Sequence, residues 1–159
     1  MAIAGNLPSI GPLEALNVRG SASKFLVVFD SFEYDLGSWS KVSGLGVSWE
    51  ACEYRRGKEE SKDMPIFLAP GPPKYSKVAL HRAACLDSET VQSWLKATQR
   101  KPRLFSGAVM LLSPVGLPLV EWRLEAFFPT AWRIGDFDSK AANVVIETLE
   151  IAHTGFLDN

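Results

Sequence analysis

The chain has 159 residues, the length of one ordinary domain, and 47% of it is apolar against 22% charged, so it can bury a core and is not a disordered tail. A net charge of −1 excludes the basic excess of a strong nucleic-acid or anionic-membrane binder. The two cysteines, Cys52 and Cys85, are too few for a disulfide scaffold and fit synthesis in a reducing cytosol.

In chain order, residues 1–22 are rich in Gly, Pro, Ala and Ser without a sustained apolar period, and read as an N-terminal arm. They show no basic region followed by an apolar run, so no secretory signal is expected, and the protein is expected to assemble in the cytoplasm. The domain, 23–159, opens with Lys24–Asp30, a β-branched and aromatic strand apolar on both faces. Ser38–Val42 is a short strand, and the glycines of Ser43-Gly44-Leu45-Gly46 make a turn. Val47–Arg56 alternates, with Val47, Trp49 and Ala51 on one face. Gly57–Asp63 is a charged loop, and the prolines from Pro65 to Pro73 argue against regular structure there.

Lys74–Arg82 reads as a further strand. Ser88–Thr98 carries the helical stripe Val91, Trp94, Leu95, with Asp87 or Ser88 as its cap. Leu104–Leu112 is a strand apolar at nearly every position, Pro118–Ala126 alternates, and Ala131–Ile134 and Asn143–His153 are extended. Seven or eight strands and one helix without a βαβ rhythm predict a mainly β fold, a small antiparallel barrel or sandwich. Strands with no solvated face ask for cover from the helix, the arm or another subunit.

The sequence offers no assembled chemistry, and no cofactor or enzymatic activity is expected. Cys52, His81, Cys85 and His153 are two thiols and two imidazoles, but their spacing lacks the close pairs of a structural zinc site, and packed thiols with surface imidazoles is the simpler reading. Glu121 and Glu125 flank Arg123 on an alternating strand, the pattern of a charge-balanced surface. Gly44-Leu45-Gly46 and Gly71 precede no helix and cannot cradle a phosphate. No stretch approaches the ~18 apolar residues of a membrane helix. The densest charge run is Arg55, Arg56, Lys58, Glu59, Glu60, Lys62, Asp63; its mixed signs suit repeated self-contact, because each copy carries both partners.

An ordered set of motifs runs Phe25-Leu26-Val27-Val28-Phe29, then Val42-Ser43-Gly44-Leu45, then Glu53-Tyr54-Arg55-Arg56-Gly57. It continues through Pro70-Gly71-Pro72-Pro73-Lys74-Tyr75, Leu80-His81-Arg82, Ser93-Trp94-Leu95, Trp122 before Phe127-Phe128-Pro129, and the closing Ile146–Gly155. In order and spacing, from about Lys24 to Phe156, this set resembles the tail tube proteins of contractile phages and of extracellular contractile injection systems. Ala83 and Ala69 stand where the pattern often has Gly and Leu, and the arm lies outside it, so a baseplate-proximal paralogue is a second form of the same expectation.

The resemblance implies a small β-barrel with one helix, related in fold to the type VI secretion tube protein. It implies rings of six copies that stack into a hollow inner tube, inside a sheath protein and on a baseplate, hub or initiator. The charged loop, Arg55 to Asp63, is then the expected inter-ring contact. Glu147 and Glu150 are the candidates for a lumen that could hold cargo. A stand-alone small barrel that binds an apolar ligand is the rival expectation.

Overall fold

Residues 24–30, 34–55, 66–140 and 143–157 are described by a computed structural model. The arm and residues 56–63 of the charged loop lie outside them. Phe25–Phe29 falls in the expected first strand, β1 (Lys24–Phe29), which pairs on one side with β2 (Asp35–Trp39). After Ser40 the chain forms β3 (Lys41–Ser43), so the single strand expected over Ser38–Val42 is two short ones hinged at that serine. The turn that follows needs its glycine: Gly44 has φ of +87°, and a Cβ there would meet the Lys77 carbonyl oxygen at 1.9 Å.

The next strand, β4 (Val47–Arg55), pairs antiparallel with β5 (Ile66–Tyr75) as a separate two-stranded sheet. β5 overturns the expectation that the prolines exclude a strand. Its ladder is made to β4 alone, so its other edge asks for no N–H donors, and a register shift between Trp49 and Ala51 accommodates the Pro70–Pro73 stretch. The strand expected over Lys74–Arg82 is therefore divided between the end of β5 and β6 (Val78–Ala83).

The helix α1 (Asp87–Arg100) is longer at both ends than its apolar stripe predicts. Leu86 is its N-cap and supplies no side-chain bond; Ser88 instead accepts from the Cys85 backbone N–H at 3.1 Å. Then come β7 (Phe105–Leu112), the 17-residue β8 (Pro118–Ile134) and β9 (Ile146–Ala152). β8 joins the two segments expected separately. It bends where Ala126 takes a φ of +46° and the register to β7 shifts, so its first half pairs with β7 and its second with β9.

The main sheet runs β2-β1-β7-β8-β9-β6-β3, all neighbours antiparallel. The mainly β, one-helix expectation holds, and the barrel needs a correction. No ladder closes the sheet among the described residues. Its two outermost strands, β2 and β3, are instead neighbours in the chain, joined through Ser40, whose N–H donates to the His81 carbonyl at 3.0 Å. The curled sheet is thus spanned covalently where a barrel would be hydrogen-bonded.

The core lies inside the curl. Val27, Phe29, Leu36, Trp39, Val78, Leu80, Val109, Leu124, Phe127, Leu149 and Ile151 point into it, and α1 adds Val91 and Trp94. Trp94 meets Phe29 edge-on at 5.2 Å between ring centres and Phe105 at 5.8 Å, the tilted geometry aromatic rings prefer.

Candidate functional site: the projecting hairpin and the sheet faces

β4 and β5 alternate like ordinary strands, yet neither face of the ribbon is covered. Trp49, Tyr54, Ile66 and Phe67 are roughly half exposed and Leu68 is 68% exposed. Tyr54 and Phe67 stack on each other at 5.6 Å, with their rings 24° from parallel, which shields part of both. The base of the hairpin is anchored: Ser76 N–H donates to the Gly46 carbonyl at 3.0 Å, and the Tyr75 ring packs on His153 and Phe156. An isolated two-stranded ribbon is marginal in water, and contiguous exposed apolar side chains mark an interaction surface. Arg55 ends β4 and Ile66 opens β5, so the rest of the charged run falls between these strands in sequence, outside the described residues.

The opposite case is Glu147. Its side chain is 0% exposed. One carboxylate oxygen accepts from Arg82 Nε at 2.8 Å and Ser88 Oγ at 2.6 Å, and the other from Trp132 Nε1 at 2.8 Å. Burial alone would push its pKa up, but the bonds from Arg82, Ser88 and Trp132 outweigh burial and hold it below the ordinary glutamate value. Arg82, 4% exposed, donates Nη1 to the Leu36 carbonyl at 2.6 Å and lies 4.1 Å over the Trp39 ring. One buried pair therefore ties β6, β8, β9, α1 and β2 together. As a lumen candidate Glu147 is corrected: a side chain with no solvent contact lines no channel.

Glu150, three residues on, is on the other side of β9. It pairs with Arg133, and that hydrogen bond holds its carboxyl below the ordinary range. Strand partners share a face, so Lys41, His81, Thr148 and Arg133 form one row across β3, β6, β9 and β8. Ser43, Ala79, Glu150 and Ala131 form the next.

The four potential zinc ligands do not converge. Cys52 sits exposed on the hairpin and Cys85 exposed before α1. His81 Nδ1 lies 3.0 Å from Thr148 Oγ1, and the two ring nitrogens of His153 lie 3.2 and 3.0 Å from the carbonyls of Gly155 and Ser76. Among the described residues no three His, Cys, Asp or Glu side chains gather as a metal site, and no helix is long and apolar enough to cross a membrane. Arg123 donates to both Asp30 carboxylate oxygens, at 2.7 and 2.8 Å, and to Glu121 at 3.2 Å, a surface cluster of one cation and two carboxylates on the other half of the main sheet.

Sequence reasoning missed the apolar hairpin. The apolar run Ile66-Phe67-Leu68, which pairs with Arg55, Tyr54 and Glu53, was its available signal, and the following prolines hid the strand that displays it.

The family model of the T4-like virus tail tube protein gp19 matches residues 21–157. Among solved structures, a chain of the sheath-tube complex of PVC, an extracellular contractile injection system, superposes with a TM-score of 0.70 at 19% identity, covering 89% of this chain and 91% of that one. A chain of the anti-feeding prophage (AFP) baseplate gives 0.61 at 21%, covering 83% and 88%. A type six secretion system protein gives 0.50 at 11%, covering 83% and 80%. At these identities the superpositions establish the shared fold. No curated protein sequence matches.

Proposed function

The chain belongs to the T4-like virus tail tube protein family, and from that premise we propose that it is an inner-tube subunit of a phage tail or contractile injection particle, its copies closing into hexameric rings that stack into a hollow tube. The observation that carries this reading is the β4–β5 hairpin, which exposes Trp49, Tyr54, Ile66, Phe67 and Leu68 on a ribbon too thin to bury them itself. A ring built from one heterologous contact, in which two different patches meet, buries such a ribbon once per subunit.

The charged run Arg55, Arg56, Lys58, Glu59, Glu60, Lys62 and Asp63 supplies the contact between rings, with both charge signs present in every copy. The N-terminal arm, residues 1–22, joins that stacking. Glu150, on the outer face of β9, is the lumen candidate that remains. The partners are further copies of the chain, a surrounding sheath protein and a baseplate, hub or initiator, at which a baseplate-proximal form of the subunit would sit. The work is done by contacts, without a catalytic group, a cofactor or specific nucleic-acid binding. The rival apolar-ligand barrel loses its ground, because Trp39, Trp94, Phe127 and Leu80 fill the interior a ligand would occupy.

Negative-stain electron microscopy of the purified chain tests the reading. End-on rings with sixfold symmetry, or stacked tubes, are expected. A uniform population of single globular particles at high concentration contradicts it.

A further inference from the structure

We propose that the outer face of the β3-β6-β9-β8 half-sheet binds an acidic polypeptide. Lys41, Lys77 and Arg133 stand on this face against one carboxylate, Glu150. Lys41, His81 and Arg133 share a row. Lys77, just before β6, continues the alternation of Ala79 and His81 and acts electrostatically on Glu150 together with His81. Three cations against one carboxylate leave the face net positive in a chain whose total is −1, so the remaining surface is net acidic.

The cations are also arranged to be used. Glu150 is already engaged by Arg133, while Lys41 and Lys77 have no ion-pair partner among the described residues. Beside them, apart from His81 and the engaged Glu150, the floor is low: Ser43, Ala79, Ala131, Thr148 and Ala152 are short side chains on a continuous ladder. Two ammonium groups above such a floor leave room for an extended chain to lie across the strands and bring its carboxylates to them. Asp136 and Asp138, the acids nearest Arg133 along the chain, belong to the loop after β8 and not to these rows.

The face suits carboxylates better than nucleotides. Sequence-independent binding of single strands relies on aromatic platforms for successive bases, and only Phe128, at the β8 edge, offers an exposed ring here. This binding property stands on the monomer's geometry. Its placement in a lumen, where each ring would repeat the face and the occupant would be acidic cargo, rests on the tube reading.

The test is fluorescence anisotropy of a labelled poly-glutamate peptide titrated with the full-length chain at low salt, with oligo-dT as the competing probe. Poly-glutamate should bind, and the double variant Lys41→Glu/Lys77→Glu should weaken it by about tenfold or more, as expected for charges that face the ligand. Lys41→Gln/Lys77→Gln should weaken it less, and Lys96→Glu, on the exposed side of α1, should leave it unchanged. Both lysines are exposed, so circular dichroism of the variants should match the parent. No poly-glutamate binding, binding indifferent to the lysine pair, or tighter binding of oligo-dT overturns the proposal. Electron microscopy of the same samples separates the two readings. Rings without poly-glutamate binding remove this inference alone, and poly-glutamate binding without rings removes the tube alone.

Discussion

The curled seven-stranded sheet and the β4–β5 hairpin belong to one chain and treat their apolar residues in opposite ways. The sheet folds its ends toward each other through Ser40, places α1 against the curl, and buries Trp39, Trp94, Phe127 and Leu80 completely. The hairpin spends Trp49, Tyr54, Ile66, Phe67 and Leu68 on surface. Hydrophobic burial is worth roughly 25 cal/mol per Å² of apolar area removed from water, so exposed side chains of that size are a stabilisation left undone in the monomer. The body has a buried core of its own, although Val120, Phe128, Ile134 and Ile146 are also exposed on its strands; the hairpin buries none of its five large apolar side chains named above.

The same contrast holds for charge. Arg82 and Glu147 are inside, with every hydrogen bond of the carboxylate supplied by named donors. Lys74 and Glu50 pair on the hairpin in open solvent. Substitutions in the two regions should therefore differ in size and in kind.

The largest effect is expected from Arg82→Ala. It leaves Glu147 ionised and buried without its partner, at a cost of about 3–5 kcal/mol, read as a lowered urea midpoint. A loss under about 1 kcal/mol, the range of exposed pairs, would put this pair in the hairpin's class and erase the contrast.

Acid acts on the same group. The folded chain holds Glu147 below its ordinary value of 4.5, so ionisation contributes its full stability above that value and withdraws it as pH falls through the lowered folded pKa. Urea midpoints measured downward from pH 6 should hold until about the ordinary glutamate range and then decline. The decline should be blunted in Glu147→Gln, whose residue has no proton to take up. An equally steep decline in that variant would place the acid sensitivity elsewhere.

Lys74→Ala removes an exposed pair and should cost about 0.2–1 kcal/mol, seen as a small midpoint shift that added salt also produces in the parent. A larger loss would mean that the hairpin contributes to the body's stability.

The smallest effect on stability is expected from Leu68→Asp, within about 0.5 kcal/mol as for other surface changes, while assembly should fail. Loss of folding in this variant would show that the hairpin is not a separate surface.

β1 and β7 were readable as short continuous apolar runs, and β4 and the α1 stripe as apolar periods of strand and helix. β5 was not readable: its prolines speak against a ladder, and only its place with a single partner strand makes them harmless. β8 looked like two segments because Ala126 and the residues around it bend one strand between two partners. Glu147 looked like a surface acid because its partner Arg82 lies 65 residues earlier, and one acid on an alternating strand carries no sign of that. The charged run was plain from composition, whereas the apolar residues of β4 and β5 became a surface only when the fold left them uncovered.

The central claim is that the hairpin is the assembly surface. Sedimentation velocity of the parent chain and of Leu68→Asp, run side by side at matched concentration, tests it most directly. Rings or longer stacks are expected for the parent and a folded monomer for the variant. Equal assembly of both, or a parent that stays monomeric at every concentration, would contradict it.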